Sequence, residues 1–249
     1  MSKLQSFGLK ESELQDLLPM LQLASVPYEQ AVKFWCSGAC IAVELKGRDA
    51  VGILKGGLLA RLQATYGANE LEGGVWFADG LGDFFFGGLR RFPSTATLRD
   101  CTCAVVRPHA IKAGDLGNIL GALLDKSSGF DVTAMQMFEL DKSSAAEFLE
   151  VYDGVMPSYK DMVDDLCTGP AVALEVKKSA TQLEGPGSVV TALRDFVGPW
   201  DVEMAKELRP GTIRAKYGVS RTQNAVHVTD LADDGEAECA YFFEVLQGS

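Results

Sequence analysis

At 249 residues the chain has room for one large domain or two small ones, and its 47% hydrophobic, 23% charged and 9% aromatic residues fit a folded globular protein rather than a disordered or collagen-like one. With 34 acidic against 23 basic residues the net charge is −11, and no basic stripe is interleaved with aromatics; this excludes general binding to nucleic acid or an anionic membrane, though not a local cationic pocket for a small phosphate ligand. No apolar run reaches the ~20 residues needed to cross a bilayer, Val51–Leu62 being broken by Lys55 and Arg61, and the amino terminus has no signal-peptide core, so a reducing, cytoplasmic location is expected.

In chain order, the first half is read through an internal repeat. Leu4-Gln-Ser-Phe-Gly-Leu9 resembles Met135-Gln-Met-Phe-Glu-Leu140, and Cys36-Ser-Gly-Ala-Cys-Ile-Ala-Val-Glu-Leu-Lys46 resembles Cys167-Thr-Gly-Pro-Ala-Val-Ala-Leu-Glu-Val-Lys177. Both pairs share an offset of 131 residues (135 − 4 and 167 − 36), and Tyr28 and Tyr159 fall on the same register. Tyr66-Gly67 pairs with Tyr217-Gly218 at an offset of 151, so the first copy lacks about 20 residues before that point. It begins at the second strand, with nothing upstream of Lys3 corresponding to Cys101–Phe130. Phe84-Phe-Phe86 is expected as a buried closing strand or an exposed contact patch. Linker-like Pro93-Ser-Thr-Ala-Thr97 places a boundary near residue 98, giving domains 1–98 and 99–249.

The second copy has a clean order of elements. Cys101–Val106 reads as a strand running into Pro108, and Leu116–Asp125 carries a helical apolar stripe that Gly129 ends. Val132–Leu140 is a predicted strand, Ser143–Tyr152 a helix capped by Ser143 or Ser144, Tyr159–Leu166 a helix, and Ala171–Val176 a strand. Val189–Val197 is a predicted helix, Arg209–Tyr217 a loop and Ala240–Leu246 a closing strand. This β-α-β-(αα)-β-α-(loop)-β order is the split βαβ, ferredoxin-like arrangement of the α+β class.

Six cysteines (Cys36, Cys40, Cys101, Cys103, Cys167, Cys239) contain no Cys-x-x-Cys, so zinc ribbons and redox pairs find no support. Cys101 and Cys103, two apart, read as two thiols on one face of a strand rather than as metal ligands with His109, and no metal centre is expected.

The informative segment is Asn224-Ala-Val-His227-Val-Thr-Asp230, preceded by Pro210-Gly-Thr-Ile-Arg214. Together with Arg107-Pro108 and Thr168-Gly-Pro170 it resembles the nucleoside diphosphate kinase family, whose pattern is Asn-x-x-His-Gly/Ala-Ser-Asp after a Pro-Gly-Thr-Ile-Arg loop, with a first-strand Lys-Pro and a Ser-Gly-Pro turn. The resemblance covers residues 101–246 and, in degenerate form, 3–92. More narrowly, Cys101-Thr-Cys103, Met135-Gln-Met-Phe138 and Tyr241-Phe-Phe243 resemble the second repeat of the family's tandem-repeat branch associated with cilia and flagella.

The resemblance implies a nucleoside diphosphate kinase fold in tandem, its first copy incomplete, and phosphate exchange between ATP and nucleoside diphosphates through a phosphohistidine at His227. A histidine with an unperturbed pKa of ~6.5 suits this chemistry, being a neutral nucleophile near pH 7. Glu238 falls where the family's carboxylate holds the other ring nitrogen. Arg194 and Arg214 match the phosphate clamps, Asn224 the ribose contact, and Thr229 the family serine. Arg107 stands for the lysine that bridges sugar and phosphate, keeping the charge but not the shape. Tyr159 is assigned to the aromatic wall that stacks the base. Mg2+ is expected with the nucleoside triphosphate, held mainly by the phosphates and not by a protein metal site. The narrower resemblance implies an alternative: a structural component of the ciliary axoneme, bound to tubulin or another protein of the doublet microtubule, that retains a nucleotide-binding fold. Family kinases assemble as hexamers or tetramers of dimers; for a tandem chain the homo-oligomeric state stays open.

Departures from the family pattern point to slow or vestigial turnover. The family tyrosine near the histidine falls on Leu149 or Glu150, its phosphate-contacting threonine on Trp200, and Val228 replaces a small residue. Each lost transition-state hydrogen bond costs ~10²-fold or more. In the first copy Trp76 takes the register of His227, Gly73 that of Asn224, Gln63 that of Arg214 and Gly87 that of Glu238. That half is expected to be scaffold and interface. His109 matches a loop residue to which no chemical role is assigned.

Overall fold

The structure, a computed structural model, describes every residue except 2, 22–25, 68–73, 78–80, 88–91, 181–187 and 249, so Gly73 lies outside the described residues. Contacts divide the chain into two compact units, Met1–Thr95 and Ala96–Ser249.

In the first unit, strand β1 (Lys3–Gly8) pairs antiparallel with β2 (Ala39–Glu44), Leu4 opposite Val43 and Phe7 opposite Cys40. Helices Glu11–Met20 and Tyr28–Trp35 lie between them in sequence and bury Leu14, Leu17, Ala31 and Trp35. These pack with Phe7, Ala42 and Phe92 into a core edged by partly buried aromatics. Phe84-Phe-Phe86 belongs to this edge: it lies in helix Leu81–Phe86, neither a strand nor an exposed patch. Phe85 stands 4.8 Å from Phe7 and 5.2 Å from Phe92 by ring centroids, tilted geometries that suit aromatic quadrupoles.

In the second unit, β3 (Thr102–Val106), β4 (Phe130–Phe138), β5 (Ala171–Lys178) and β6 (Val226–Val228) run β4-β5-β3-β6 with every neighbouring pair antiparallel. The first strand, β3, is therefore central, as a split βαβ order requires. On one face Cys103, Val105, Ala134, Ala171 and Ala173 pack with Phe148, Leu149, Met162, Leu166 and Phe242. The small alanines let the helices Lys142–Phe148 and Tyr159–Leu166 come close. Helices Leu116–Leu124 and Val189–Val197 contribute a second set of buried aliphatics, Ile119, Leu123, Val190, Leu193 and Val197.

Several elements differ from expectation. The fourth strand is Val226–Val228, not Ala240–Leu246: the latter continues helix Gly235–Ala240 through a π-turn segment, Tyr241–Val245, that buries Phe242 and Phe243. A three-residue edge strand is too short to show a period of two, whereas Tyr-Phe-Phe carries strand propensity that packing overrides. The helix predicted over Ser143–Tyr152 is Lys142–Phe148 followed by a 3-10 turn, Glu150–Tyr152, and its N-cap is Asp141, whose Oδ1 accepts from Ser144 N at 2.8 Å. The expected loop Arg209–Tyr217 ends in a short helix, Ile213–Tyr217, and helix Val202–Leu208 precedes it.

Candidate active site

His227 is the middle residue of β6 and stands opposite Val105, so its ring points to the face covered by Phe148. The chain enters β6 through Ala225, a non-glycine in the left-handed region (φ 71°), a conformation that persists only where neighbours over-determine it. Here the Ala225 carbonyl accepts from Arg107 N (2.9 Å) and its N–H donates to His109 Nε2 (3.3 Å). Burial lowers the His109 pKa, which keeps that nitrogen an acceptor. His109 thus acquires a positioning role that sequence reasoning missed.

His227 is 1% exposed. Its Nε2 lies 2.9 Å from Glu238 Oε2, and the same carboxylate oxygen accepts from Thr229 Oγ1 at 3.1 Å. Glu238 reaches the ring because helix Gly235–Ala240 packs directly on β3: a Cβ on Gly235 would meet the Cys101 carbonyl at 2.4 Å, so only glycine fits there. A ring nitrogen bonded to a carboxylate carries the proton, which leaves Nδ1 as the basic nitrogen. Nδ1 is buried and has no hydrogen-bond partner.

Two buried arginines reach the backbone and side chains beside β6. Arg107 is fully buried, pairs through Nη1 with Asp165 Oδ2 at 3.5 Å, and leaves Nε and Nη2 without partners. Arg214, 4% exposed, donates Nε and Nη2 to the Val226 carbonyl (3.1 and 3.0 Å) and Nη1 to the Gly198 carbonyl (3.0 Å). Three of its five N–H groups are thereby engaged and two remain. Gly198 (φ 99°) is the only residue type that brings this carbonyl into place, since a Cβ there would overlap Thr212 Oγ1. Burial depresses the pKa of both arginines, that of Arg214 to about 10, with Arg107 and Arg194 adding repulsion. Two desolvated cations with open donors form a site in which an anion regains what burial removed.

The other expected residues join the same cluster, with one exception. Arg194 donates to the Asp230 carbonyl (2.5 Å) and pairs with its carboxylate at 3.5 Å. Asn224 donates to the Trp200 carbonyl at 3.5 Å and keeps a buried, unpartnered Oδ1. Trp200 lies with its ring 5.4 Å from the Arg214 guanidinium and 5.9 Å from Tyr152. Tyr159 instead donates to the Ala146 carbonyl at 3.2 Å and packs against the core. Leu149, one of the two residues at the family's tyrosine position, is a core residue, and Glu150 is exposed. Tyr152, in the 3-10 turn that follows, meets His227 edge-on at 6.4 Å and donates its hydroxyl to Asp230, a neighbour that sequence reasoning did not single out. Asp165 also went unread, although of the adjacent Asp164 and Asp165 it is the one on the buried face with Met162 and Leu166, which signals a buried partner; it accepts from Arg107 and from Gln223 Nε2 (3.0 Å).

Among the described residues no cluster of three carboxylates suited to a hard cation lines the site. Among the described residues the grouping with metal-ligand spacing is Cys101, Glu175 and Cys239 in the core, and Glu175 is already saturated by Thr97, Leu98 and Thr133 donors. A cavity of about 590 Å3 bounded by Phe130, Phe196, Arg209 and Lys216 includes none of the His227 cluster.

Known proteins carry the same pattern. A sequence profile for nucleoside diphosphate kinase matches residues 100–247. The chain is 40% identical over 240 residues to nucleoside diphosphate kinase homolog 7 of Mus musculus, covering 88% of this chain and 58% of that protein. It thus spans little more than half the length of that relative and of its Rattus norvegicus counterpart. To the nucleoside diphosphate kinase of Aquifex aeolicus it is 31% identical over 146 residues, 59% of this chain and 95% of the other. The orthorhombic C222 crystal structure of the Aquifex aeolicus kinase superposes with a TM-score of 0.51 at 29% identity, covering 59% of this chain and 96% of that one. With profile, relatives and fold in agreement over the unit that holds His227, the chain belongs to the nucleoside diphosphate kinase family.

Proposed function

We propose that residues 96–249 exchange phosphate between nucleoside triphosphates and diphosphates through His227. The observation that carries this reading is the buried, unpartnered Nδ1 of His227, with Nε2 fixed on Glu238 and unpartnered guanidinium nitrogens of Arg107 in the same unit. Nδ1 attacks the terminal phosphorus, the phosphorus–nitrogen bond forms as the bond to the diphosphate oxygen breaks, and the diphosphate leaves. Glu238 stabilises the positive charge that develops on the ring, while Arg107, Arg194 and Arg214 meet charge on the transferring group. A second diphosphate reverses the sequence. Mg2+ enters on the nucleotide's phosphates and neutralises part of their charge; the chain's own residues bind and orient. Turnover is slow on this reading, because Trp200 takes the family's threonine position and Leu149 or Glu150 that of its tyrosine.

The test is incubation with γ-labelled ATP and magnesium. Acid-labile label on the chain that passes to GDP, and that His227→Ala abolishes, is the expected result. Nucleotide binding without label assigns the site to binding alone. A second reading, a structural protein of the axoneme with tubulin or another doublet protein as partner, is favoured by Trp76, which takes His227's register in the first unit and packs, tilted, against Trp35 at 4.3 Å between ring centroids. Under that reading His227→Ala leaves incorporation into doublets unchanged.

A further inference from the structure

Arg107 and Asp165 form an ion pair inside the second unit, the guanidinium fully buried and the carboxylate 5% exposed. Asp165 stands in the last turn of helix Tyr159–Leu166, where a negative charge works against the helix dipole. Its neighbour Asp164 pairs instead with Lys142 at the surface. A buried ion pair adds little net stability over apolar residues of the same volume, so stability alone does not account for an acid that points inward here.

The bonds of Asp165 show what it holds. Its Oδ2 accepts from Arg107 Nη1 at 3.5 Å, and its Oδ1 accepts from Gln223 Nε2 at 3.0 Å. Gln223 adjoins Asn224 and is itself fixed by a turn: its N–H donates to Ser220 Oγ at 3.1 Å, and its carbonyl accepts from Val219 N at 2.7 Å. The carboxylate is thus seated on one side by this turn and grips Arg107 by a single nitrogen on the other. The two nitrogens of Arg107 without partners, Nε and Nη2, are those along one edge of the guanidinium. Their N–H groups run parallel, at the spacing of two oxygens on one phosphate. Arg107 also lies close enough for its charge to act on Arg214 and on Tyr152, which places it with the His227 cluster. A lysine could not serve both needs, since an ammonium has no second edge to offer a ligand while the first is held by an acid.

We infer that Asp165, seated by Gln223, is a positioning residue: by engaging Nη1 it turns Arg107 so that the Nε–Nη2 edge takes two oxygens of a nucleotide's phosphate at once. This rests on the exchange reading of the site, but concerns the binding of phosphate and not its transfer to His227.

Calorimetric titration of the full chain with Mg-ADP, and with inorganic pyrophosphate as a probe that needs no nucleoside contact, reads the fork without turnover. Asp165→Asn keeps the size of the side chain and removes its charge; it is expected to weaken both ligands at least tenfold, as is Arg107→Lys. A positioning residue acts only through the fork, so adding Asp165→Asn to Arg107→Lys should change affinity by less than twofold, whereas a merely structural acid costs the same factor in either background. Gln223→Met, at a half-buried position, is the milder variant: about threefold weaker binding beside Arg107 and no further loss beside Arg107→Lys. Asp164→Asn, the same change one residue away at the surface, leaves both affinities within twofold. Circular dichroism checks the fold of each variant. Equal losses in the two backgrounds, or affinity that neither Asp165→Asn nor Gln223→Met lowers, overturns the proposal. Binding that follows the expected pattern without label on His227 sinks the exchange reading and leaves the fork standing; a parent chain that binds neither ligand overturns both.

Discussion

At the scale of single residues, the proposed exchange turns on the bond between His227 Nε2 and Glu238, which leaves Nδ1 as the nitrogen that acts. Without the carboxylate the imidazole loses both its fixed tautomer and the charge that would stabilise a substituted ring. Partners of this kind, one bond removed from the reacting atom, contribute 10–100-fold where they have been tested at metal sites. Glu238→Gln is therefore expected to slow labelling of His227 by about that factor while leaving nucleotide affinity within twofold. Stopped labelling reactions with a parallel binding titration separate the two. Equal losses in both would make Glu238 part of the binding surface instead. Trp200 poses the opposite case, a bulky ring 5.4 Å from the Arg214 guanidinium, which the Val226 and Gly198 carbonyls hold.

Among elements, the segment that joins the linker to the sheet rests on one carboxylate. Glu175 of β5 is fully buried and accepts from Thr97 N and Oγ1, Leu98 N and Thr133 Oγ1. Burial alone would raise its pKa, but these hydrogen bonds outweigh it and the net direction is down. A depressed carboxylate contributes stability that is complete above its unfolded pKa of ~4.3 and is lost as pH falls through the folded value. Glu175→Gln turns one acceptor into a donor facing donors and should cost about 1–3 kcal/mol at neutral pH. Urea titrations should show that gap closing below about pH 4; a constant gap would mean that packing, not charge, is what the substitution removes. The elements most legible in the sequence were those whose apolar pattern matched their burial: β3 and β5 as continuous buried runs, and the helices Leu116–Leu124 and Val189–Val197 as periodic stripes. The site was legible wherever it followed linear spacing, from Arg214 through Asn224 and His227 to Glu238. It was not legible where tertiary contact decides, as for Tyr152 in a 3-10 turn, Asp165 beside Arg107, His109 at a strained turn and a fourth strand of only three residues.

For the whole molecule, the candidate site is confined to one unit. Every residue placed in the His227 cluster lies between Arg107 and Glu238, within the second unit. The burial of Arg107 and Arg214 has a kinetic consequence. An anion far from the protein feels the summed charge of a −11 chain, while on the proposed reading two of the cations that hold it, Arg107 and Arg214, are buried and Arg194 stands about half exposed. Capture therefore begins uphill and turns favourable only at contact. Added salt, with a Debye length near 10 Å at about 0.1 M, shortens the repulsive approach more than it weakens the buried clamp. Nucleotide association measured by stopped flow should thus quicken, not slow, as ionic strength rises from low millimolar towards physiological, the reverse of sites that steer their ligands with exposed lysines.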